Sequence, residues 1–242
     1  LNCYSCPGAM ASCPIGALQA LLNQRGFQVP FAALGFFFIF GSVLGRFVCG
    51  WLCPFGLVQD LLHKIPLFKK KKRLPFHHIL KYGKYAVLIL WVYVGSMLLF
   101  GGFAKVPAFC KYLCPSGTLF GALPLIGTNE ALRNQAGGLF FWKLGVLLFL
   151  TALSLKVYRP FCQYLCPLGA IYGWFNQFSL VQIHWDAKQC VSCHACEKAC
   201  PAALSLHEIS HSAECIRCGK CVDACPQKCL HFCGKGTKAT KN

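Results

Sequence analysis

Residues 161–174 read FCQYLCPLGAIYGW and close an apolar run that begins near Leu139. Cys162 and Cys166 stand about one helical turn apart, Pro167 follows at once, and Gly169 comes two positions later. The residue before a proline is driven out of the helical region, whereas proline itself suits the first turn of a helix. Cys166 is therefore predicted at a junction where one helix has ended and another begins. A thiolate there faces unpaired backbone N–H groups and the positive end of a helix dipole, which favours an anion or an anionic cluster. The glycine lets a bulky group approach the backbone.

The arrangement recurs along the chain. Alignment on Cys-Pro dipeptides gives CPIGALQALL from Cys13, CPFGLVQDLL from Cys53, CPSGTLFGAL from Cys114 and CPLGAIYGWF from Cys166. Cys49, Cys110 and Cys162 each precede their partner by four residues, while the first repeat has Cys6 and Cys3 at wider spacing. Pro-Gly turns between apolar helices with incidental buried cysteines would account for one such motif. They do not account for four in register.

With 56% hydrophobic residues, 13% charged residues and 19 cysteines in 242, the chain is no ordinary soluble domain. A disulfide scaffold, a membrane protein and a metal-cluster protein remain. Apolar stretches at 30–48, 85–104 and 139–158 approach the roughly 20 residues that a spanning helix needs. The formal charge of +17 raises nucleic acid as a partner, but the densest basic run, Lys69 to Arg73, lies between the first two stretches. There it reads as a cytoplasmic loop under the positive-inside bias, and no nucleic-acid partner is expected. Metal-bound cysteines would be thiolates and would cancel part of the charge. The chain opens on Leu1 without the pattern of a signal peptide, which leaves room for an upstream span.

That orientation sorts the cysteines. Cys49, Cys53, Cys162 and Cys166 fall at the inner edge, and Cys3, Cys6, Cys13, Cys110 and Cys114 at the outer edge, where four of the five suffice for a site. Four thiolates complete a four-iron cluster or a tetrahedral zinc site. A disulfide among Cys3, Cys6 and Cys13 stays open on the oxidising side.

Beyond Trp185 the character changes. CVSCHACEKACP from Cys190 and CIRCGKCVDACP from Cys215 each match the CxxCxxCxxxCP run of four-iron clusters, in which the fourth cysteine ligates the other cluster. By that rule Cys190, Cys193, Cys196 and Cys225 form one set, and Cys215, Cys218, Cys221 and Cys200 the other. Zinc sites need no third cysteine in such a run. Cys229 and Cys233 repeat the four-residue spacing without a proline and are expected to pack on the core or to serve a partner.

The expected fold is mainly α. Polytopic transmembrane helices with short re-entrant or interfacial CPxG helices occupy 1–183, an α+β two-cluster ferredoxin domain occupies 184–233, and a basic tail occupies 234–242. No two histidines pair along a span, so no haem is expected; GKGTK lacks the context of a phosphate loop, and no catalytic residue is expected. Asp60 and His63 are the candidates for proton handling beside a quinone, although both are expected to face solvent.

Membrane spans with CxxxCP motifs followed by a two-cluster ferredoxin resemble the polyferredoxin membrane proteins typified by the quinol dehydrogenase subunit of periplasmic nitrate reduction and the nitrous-oxide reductase maturation regulator. The resemblance implies a bacterial inner-membrane electron-transfer protein with a cytoplasmic ferredoxin domain. It carries over to Cys49, Cys53, Cys162, Cys166 and the eight ferredoxin cysteines. Two [4Fe-4S] clusters are expected in the ferredoxin and four in all. Cys110, Cys114 and the opening LNCYSCPGAMASCP exceed the two-motif pattern and point to a longer relay. The expected partners are a cytoplasmic ferredoxin, flavoprotein or dehydrogenase and an extracytoplasmic flavin or haem protein. Quinone reactivity and a redox-sensing or maturation role stand as alternatives.

Overall fold

A computed structural model describes residues 14–22, 31–66, 74, 76–99, 108–130, 137–209 and 212–234. Cys3, Cys6, Cys13, the Lys69 to Arg73 loop and the tail after Gly234 lie outside these residues.

The first part is a set of packed helices. Pro14–Leu22 and Phe31–Leu44 lead to Phe47–Trp51 and Pro54–Lys64. Gly45, at φ +55°, closes Phe31–Leu44 by donating its N–H to the carbonyls of Phe40 and Gly41 at 3.2 and 2.9 Å. The apolar run expected to continue as one helix over 30–48 is therefore two helices, because this left-handed cap turns the chain just ahead of Arg46. Gly83–Val87 widens into a π-helix over Leu88–Leu99, and short helical pieces between Phe109 and Thr128 surround the third Cys-Pro motif. Gly138–Lys156, Pro160–Tyr164 and Pro167–Phe175 complete the bundle.

Among the described residues, Gly138–Lys156 is the one helix long and apolar enough to cross a bilayer. At 1.5 Å rise it extends about 28 Å, close to the hydrocarbon thickness. Its buried stripe is Lys143, Leu147, Leu150 and Ser154, while Phe141, Trp142, Leu148 and Phe149 point outward and are at least 60% exposed. This pattern inverts that of a water-soluble helix: the outward face is apolar and part of the inward face is polar.

The second part is small. Strand β1 (Val181–Trp185) pairs antiparallel with β2 (Leu230–Gly234), with Ile183 opposite Phe232. The chain between them has only short helices, Ala195–Ala199, Leu206–Glu208 and Lys220–Asp223. Ile183, Leu230 and Ile209, each at most 2% exposed, pack with Cys196, Cys200, Cys215, Cys221 and Cys229.

One segment joins the two parts. Arg46 donates to the carbonyl of Ala213 at 2.6 Å and to Glu214 at 3.1 Å, and Lys84 also pairs with Glu214. Asn176 donates to the carbonyls of Ser212 and Cys215 at 2.7 and 3.0 Å, and Arg217 returns the contact to Ser179 and to the Asn176 carbonyl. A Cβ on Gly50 would sit 2.5 Å from the Ile216 carbonyl, so only glycine admits the segment there. Burial would raise the Glu214 carboxyl, but Arg46 and Lys84 hold it below the ordinary carboxylate range. Glu214→Ala would strand two buried cations, a loss of about 3–5 kcal/mol for a broken buried pair. Limited proteolysis should release the ferredoxin part faster in that variant, with the exposed Glu130→Ala as an unaffected control.

Candidate metal centres

The three Cys-Pro motifs with a described cysteine share one backbone geometry. Cys53 (φ −78°, ψ 110°), Cys114 (−72°, 106°) and Cys166 (−73°, 114°) are extended N-caps, each followed by proline in the first helical turn. The glycine N–H three residues on donates to the sulfur at two of them, from Gly56 to Cys53 and from Gly117 to Cys114 at 3.4 Å each; Gly169 holds the equivalent place after Cys166 without that bond. The helix junction expected from the sequence is present at all three. The helix after Cys13 also begins on its proline, Pro14.

The second and fourth motifs exchange arginines. Arg159, just ahead of Cys162, donates to the carbonyls of Cys49 at 2.5 Å and Gly50 at 3.1 Å, and its guanidinium lies over Gly56. Arg46, just ahead of Cys49, reaches the carbonyl of Cys162 at 3.4 Å and lies over Gly169. The bulky group admitted by each motif's glycine is thus the other motif's arginine. Asp60 accepts from Arg159 at 2.5 and 2.7 Å, and Gln59 donates to the Cys162 sulfur at 3.2 Å. Cys49, Cys53, Cys162 and Cys166 are close enough to interact electrostatically. At the third motif Lys143, from the long helix, takes the place of the arginine and donates to the Cys110 carbonyl at 3.4 Å. Cys110 shares one continuous core with Cys49 and Cys162.

The ferredoxin cysteines line two pockets. One, with about 320 Å³ of empty volume, is lined by Cys200, Cys215, Cys218 and Cys221; the other, about 300 Å³, by Cys190, Cys193, Cys196 and Cys225. These groupings follow the crossed assignment read from the two cysteine runs. The two halves also share strained turns: Ser192 and Arg217, His194 and Gly219, and Ala203 and Lys228 hold positive φ at equivalent positions. Left-handed backbone costs a non-glycine residue roughly 1–2 kcal/mol and turns N–H groups inward toward an anion. Among the described residues no group of three or more His, Cys, Asp or Glu side chains is set around a single metal ion. The thiols surround open pockets instead.

The pockets differ in how far their cysteines are buried. Burial, with Cys215, Cys218 and Cys200 nearby, pushes the Cys221 thiol up to about 12, and burial pushes Cys215 up to about 11. Around the other pocket the Ser192 N–H holds Cys190 below its ordinary value, and Cys193 is exposed. Four soft sulfur donors around each pocket, with backbone N–H groups directed at the sulfurs, fit a cuboidal iron–sulfur cluster. Bound iron would displace the thiol protons, so binding energy becomes folding energy.

One expectation changes, and the expected packing of Cys229 on the core is met. Asp60 and His63 do not simply face solvent: Asp60 is held by Arg159, and the His63 ring meets the Ser154 carbonyl at 3.2 Å. Cys229 is packed in the ferredoxin core, 3% exposed. Arg46, Arg159, Lys84 and Lys143 were not singled out from the sequence, although an arginine three residues before the first cysteine of two motifs was a readable signal. With so little regular structure, removal of iron by an anaerobic chelator should abolish amide protection in β1 and β2. Protection in Gly138–Lys156 should persist, as hydrogen exchange would show.

The comparisons agree with this arrangement. The family model described as a 4Fe-4S binding domain matches residues 12–31, 26–75, 85–127 and 139–186, one segment for each Cys-Pro repeat, and that of a 4Fe-4S dicluster domain matches 182–226. The uncharacterized protein MJ0750 of Methanocaldococcus jannaschii is 33% identical over 81% of this chain and 75% of its own length. The putative electron transport protein YccM of Escherichia coli is 26% identical over 72% of this chain and 46% of its own length. The ferredoxin-type protein NapH of Haemophilus influenzae is 30% identical over 72% of this chain, and the match spans 54% of NapH. This chain therefore spans about half the length of the last two. No solved structure matches it. The chain belongs to the 4Fe-4S binding domain family and is a ferredoxin-type protein whose cofactors are [4Fe-4S] clusters.

Proposed function

We propose that this chain is a membrane-integral electron carrier that links a cytoplasmic redox partner, through its ferredoxin clusters, to an extracytoplasmic partner through clusters held by the CxxxCP thiols. In this reading Cys190, Cys193, Cys196 and Cys225 hold the first ferredoxin cluster, and Cys215, Cys218, Cys221 and Cys200 the second. Cys49, Cys53, Cys162 and Cys166 hold a third at the inner edge. Cys110 and Cys114, with Cys3, Cys6 or Cys13, serve the outer edge. The apolar stretches at 30–48, 85–104 and 139–158 cross the bacterial inner membrane, with the ferredoxin part in the cytoplasm.

The observation that carries this reading is the position of Arg159. Its guanidinium donates to the carbonyls of Cys49 and Gly50 in the inner-edge set, and Gly50 packs against the Ile216 carbonyl, next to Cys215 of the second ferredoxin set. The two thiol sets are thus neighbours, and the exposure of Cys193 supports reading the far ferredoxin pocket as the end that meets a soluble partner. When bound, [4Fe-4S] clusters supply one-electron chemistry at potentials set by charge, hydrogen bonds to sulfur and burial. The chain's residues ligate, exclude water and fix the order of the carriers. Anaerobically purified full-length protein should carry about sixteen irons, and a truncation ending before Trp185 about eight, since each four-iron site takes four thiolates. Iron confined to the residues after Trp185 would reduce the protein to a membrane-tethered ferredoxin.

A second reading, exchange of electrons with a quinone, has one specific support. An open pocket is lined by Phe37, Phe38, Tyr85, Leu88, Trp174 and Phe175. Tyr85 also interacts with Glu214, next to Cys215. A flat apolar ring would find aromatic walls there and one hydroxyl for proton exchange. Under this reading Tyr85→Phe should slow cluster reduction by a quinol roughly 100-fold, the scale of a lost general acid or base. Reduction by dithionite should be unchanged.

A further inference from the structure

The two ferredoxin pockets are built from equivalent chain segments, yet they differ in chemistry at the position four residues after each fourth cysteine. After Cys200 the backbone turns through Ala203, at φ +52°, and Leu204 then lines the pocket of Cys215, Cys218 and Cys221. After Cys225 it turns through Lys228, at φ +51°, and Cys229 lines the pocket of Cys190, Cys193 and Cys196. The same i to i+3 hydrogen bond closes both turns, from Ala203 to Cys200 at 3.1 Å and from Lys228 to Cys225 at 3.2 Å. A thiol therefore stands in one pocket where an inert leucine stands in the other.

That thiol is placed as a ligand would be. Cys229 is 3% exposed, and its sulfur lies 3.3 Å from that of Cys225. It also lines the same pocket as Cys190, Cys193 and Cys196. The first pocket thus holds five thiols for a cluster that takes four. Little motion separates the sulfurs of Cys225 and Cys229, and the left-handed Lys228 already directs the fifth side chain inward.

We propose that Cys229 is a reserve ligand of the first ferredoxin cluster, able to take the iron that Cys225 holds. The proposal rests on the assignment of Cys190, Cys193, Cys196 and Cys225 to that cluster. The exchange is a ligand substitution without electron transfer. The Cys229 S–H bond breaks, an S–Fe bond forms in place of the Cys225 S–Fe bond, and the proton passes to the departing Cys225 thiolate or to solvent. Where Cys225 is oxidised or replaced, the cluster keeps four thiolates, whereas the second cluster has no such reserve.

The test compares anaerobically purified full-length variants by iron content and electron paramagnetic resonance. Cys200→Ala, with only Leu204 beside it, should lose about one iron and show the signal of a three-iron cluster. Cys225→Ala should retain the iron of the parent protein and a four-iron signal, and Cys225→Ala/Cys229→Ala should lose about one iron. Cys229→Ala alone should lose none. Loss of iron in Cys225→Ala equal to that in Cys200→Ala would overturn the proposal while leaving the cluster assignment intact. Full iron in Cys225→Ala/Cys229→Ala would refute the assignment itself, and the proposal with it. If Cys225→Ala does not fold, Cys225→Ser answers the same question: the spectrum should remain that of an all-thiolate cluster with Cys229 present and change when Cys229→Ala is added. A spectrum already changed with Cys229 present would overturn the proposal.

Discussion

Arg46 and Arg159 are buried cations, 2% and 3% exposed, and a buried guanidinium is tolerated only where its donors are met and its charge is answered. Arg159 meets that demand inside the thiol motif of Arg46, and Arg46 does so through its two terminal nitrogens, its Nε alone having no partner among the described residues. Arg159 takes the Cys49 and Gly50 carbonyls with Asp60 as counter-charge, and Arg46 takes the Cys162 carbonyl with Glu214. This exchange fixes two distant Cys-Pro segments against each other, so that four thiols come from two half-sites. It also fixes the ferredoxin, because Glu214 belongs to the segment that precedes Cys215.

The charge balance follows from the chemistry of the site. Iron–sulfur clusters ligated by four thiolates are anionic, and among the described residues the CxxxCP cysteines are accompanied by Arg46, Arg159, Lys84 and Lys143, with Asp60 and Glu214 as their ion-pair partners. In a low-dielectric setting that excess favours the negative form of whatever the thiols hold. Without such a charge the cations would be difficult to justify, since the helices around them turn apolar surfaces outward. Lys143 illustrates the point: it lies on the buried stripe of a helix whose exposed face is phenylalanine, leucine and tryptophan.

The ferredoxin part shows how an internal duplication can diverge at one atom-scale position. Its halves share turn geometry, cysteine order and crossed pockets, yet one pocket is buried against the helices and the other opens to solvent at Cys193. The same four-thiol chemistry therefore sits in two electrostatic settings. Such differences separate the potentials of otherwise identical clusters.

Much of this was legible in the residues. The Cys-Pro-x-Gly repeat dictated an extended cysteine capping a helix, because proline restricts its predecessor and suits a first helical turn; Cys53, Cys114 and Cys166 adopt that form. The rule for two-cluster ferredoxins, that the fourth cysteine of each run serves the other cluster, supplied the crossed grouping, and the two pockets are lined in that grouping. Local pattern could not show which buried polar groups would meet. The partners of Arg46, Arg159, Lys84 and Glu214 are remote in the chain, and the break at Gly45 took effect only where a left-handed cap could be matched by packing. The sequence by itself determined the ligand chemistry and the local backbone that presents each thiol. Only the tertiary structure decided which buried polar groups meet across the two motifs, because buried charges accept only the partners that the fold brings within hydrogen-bond reach.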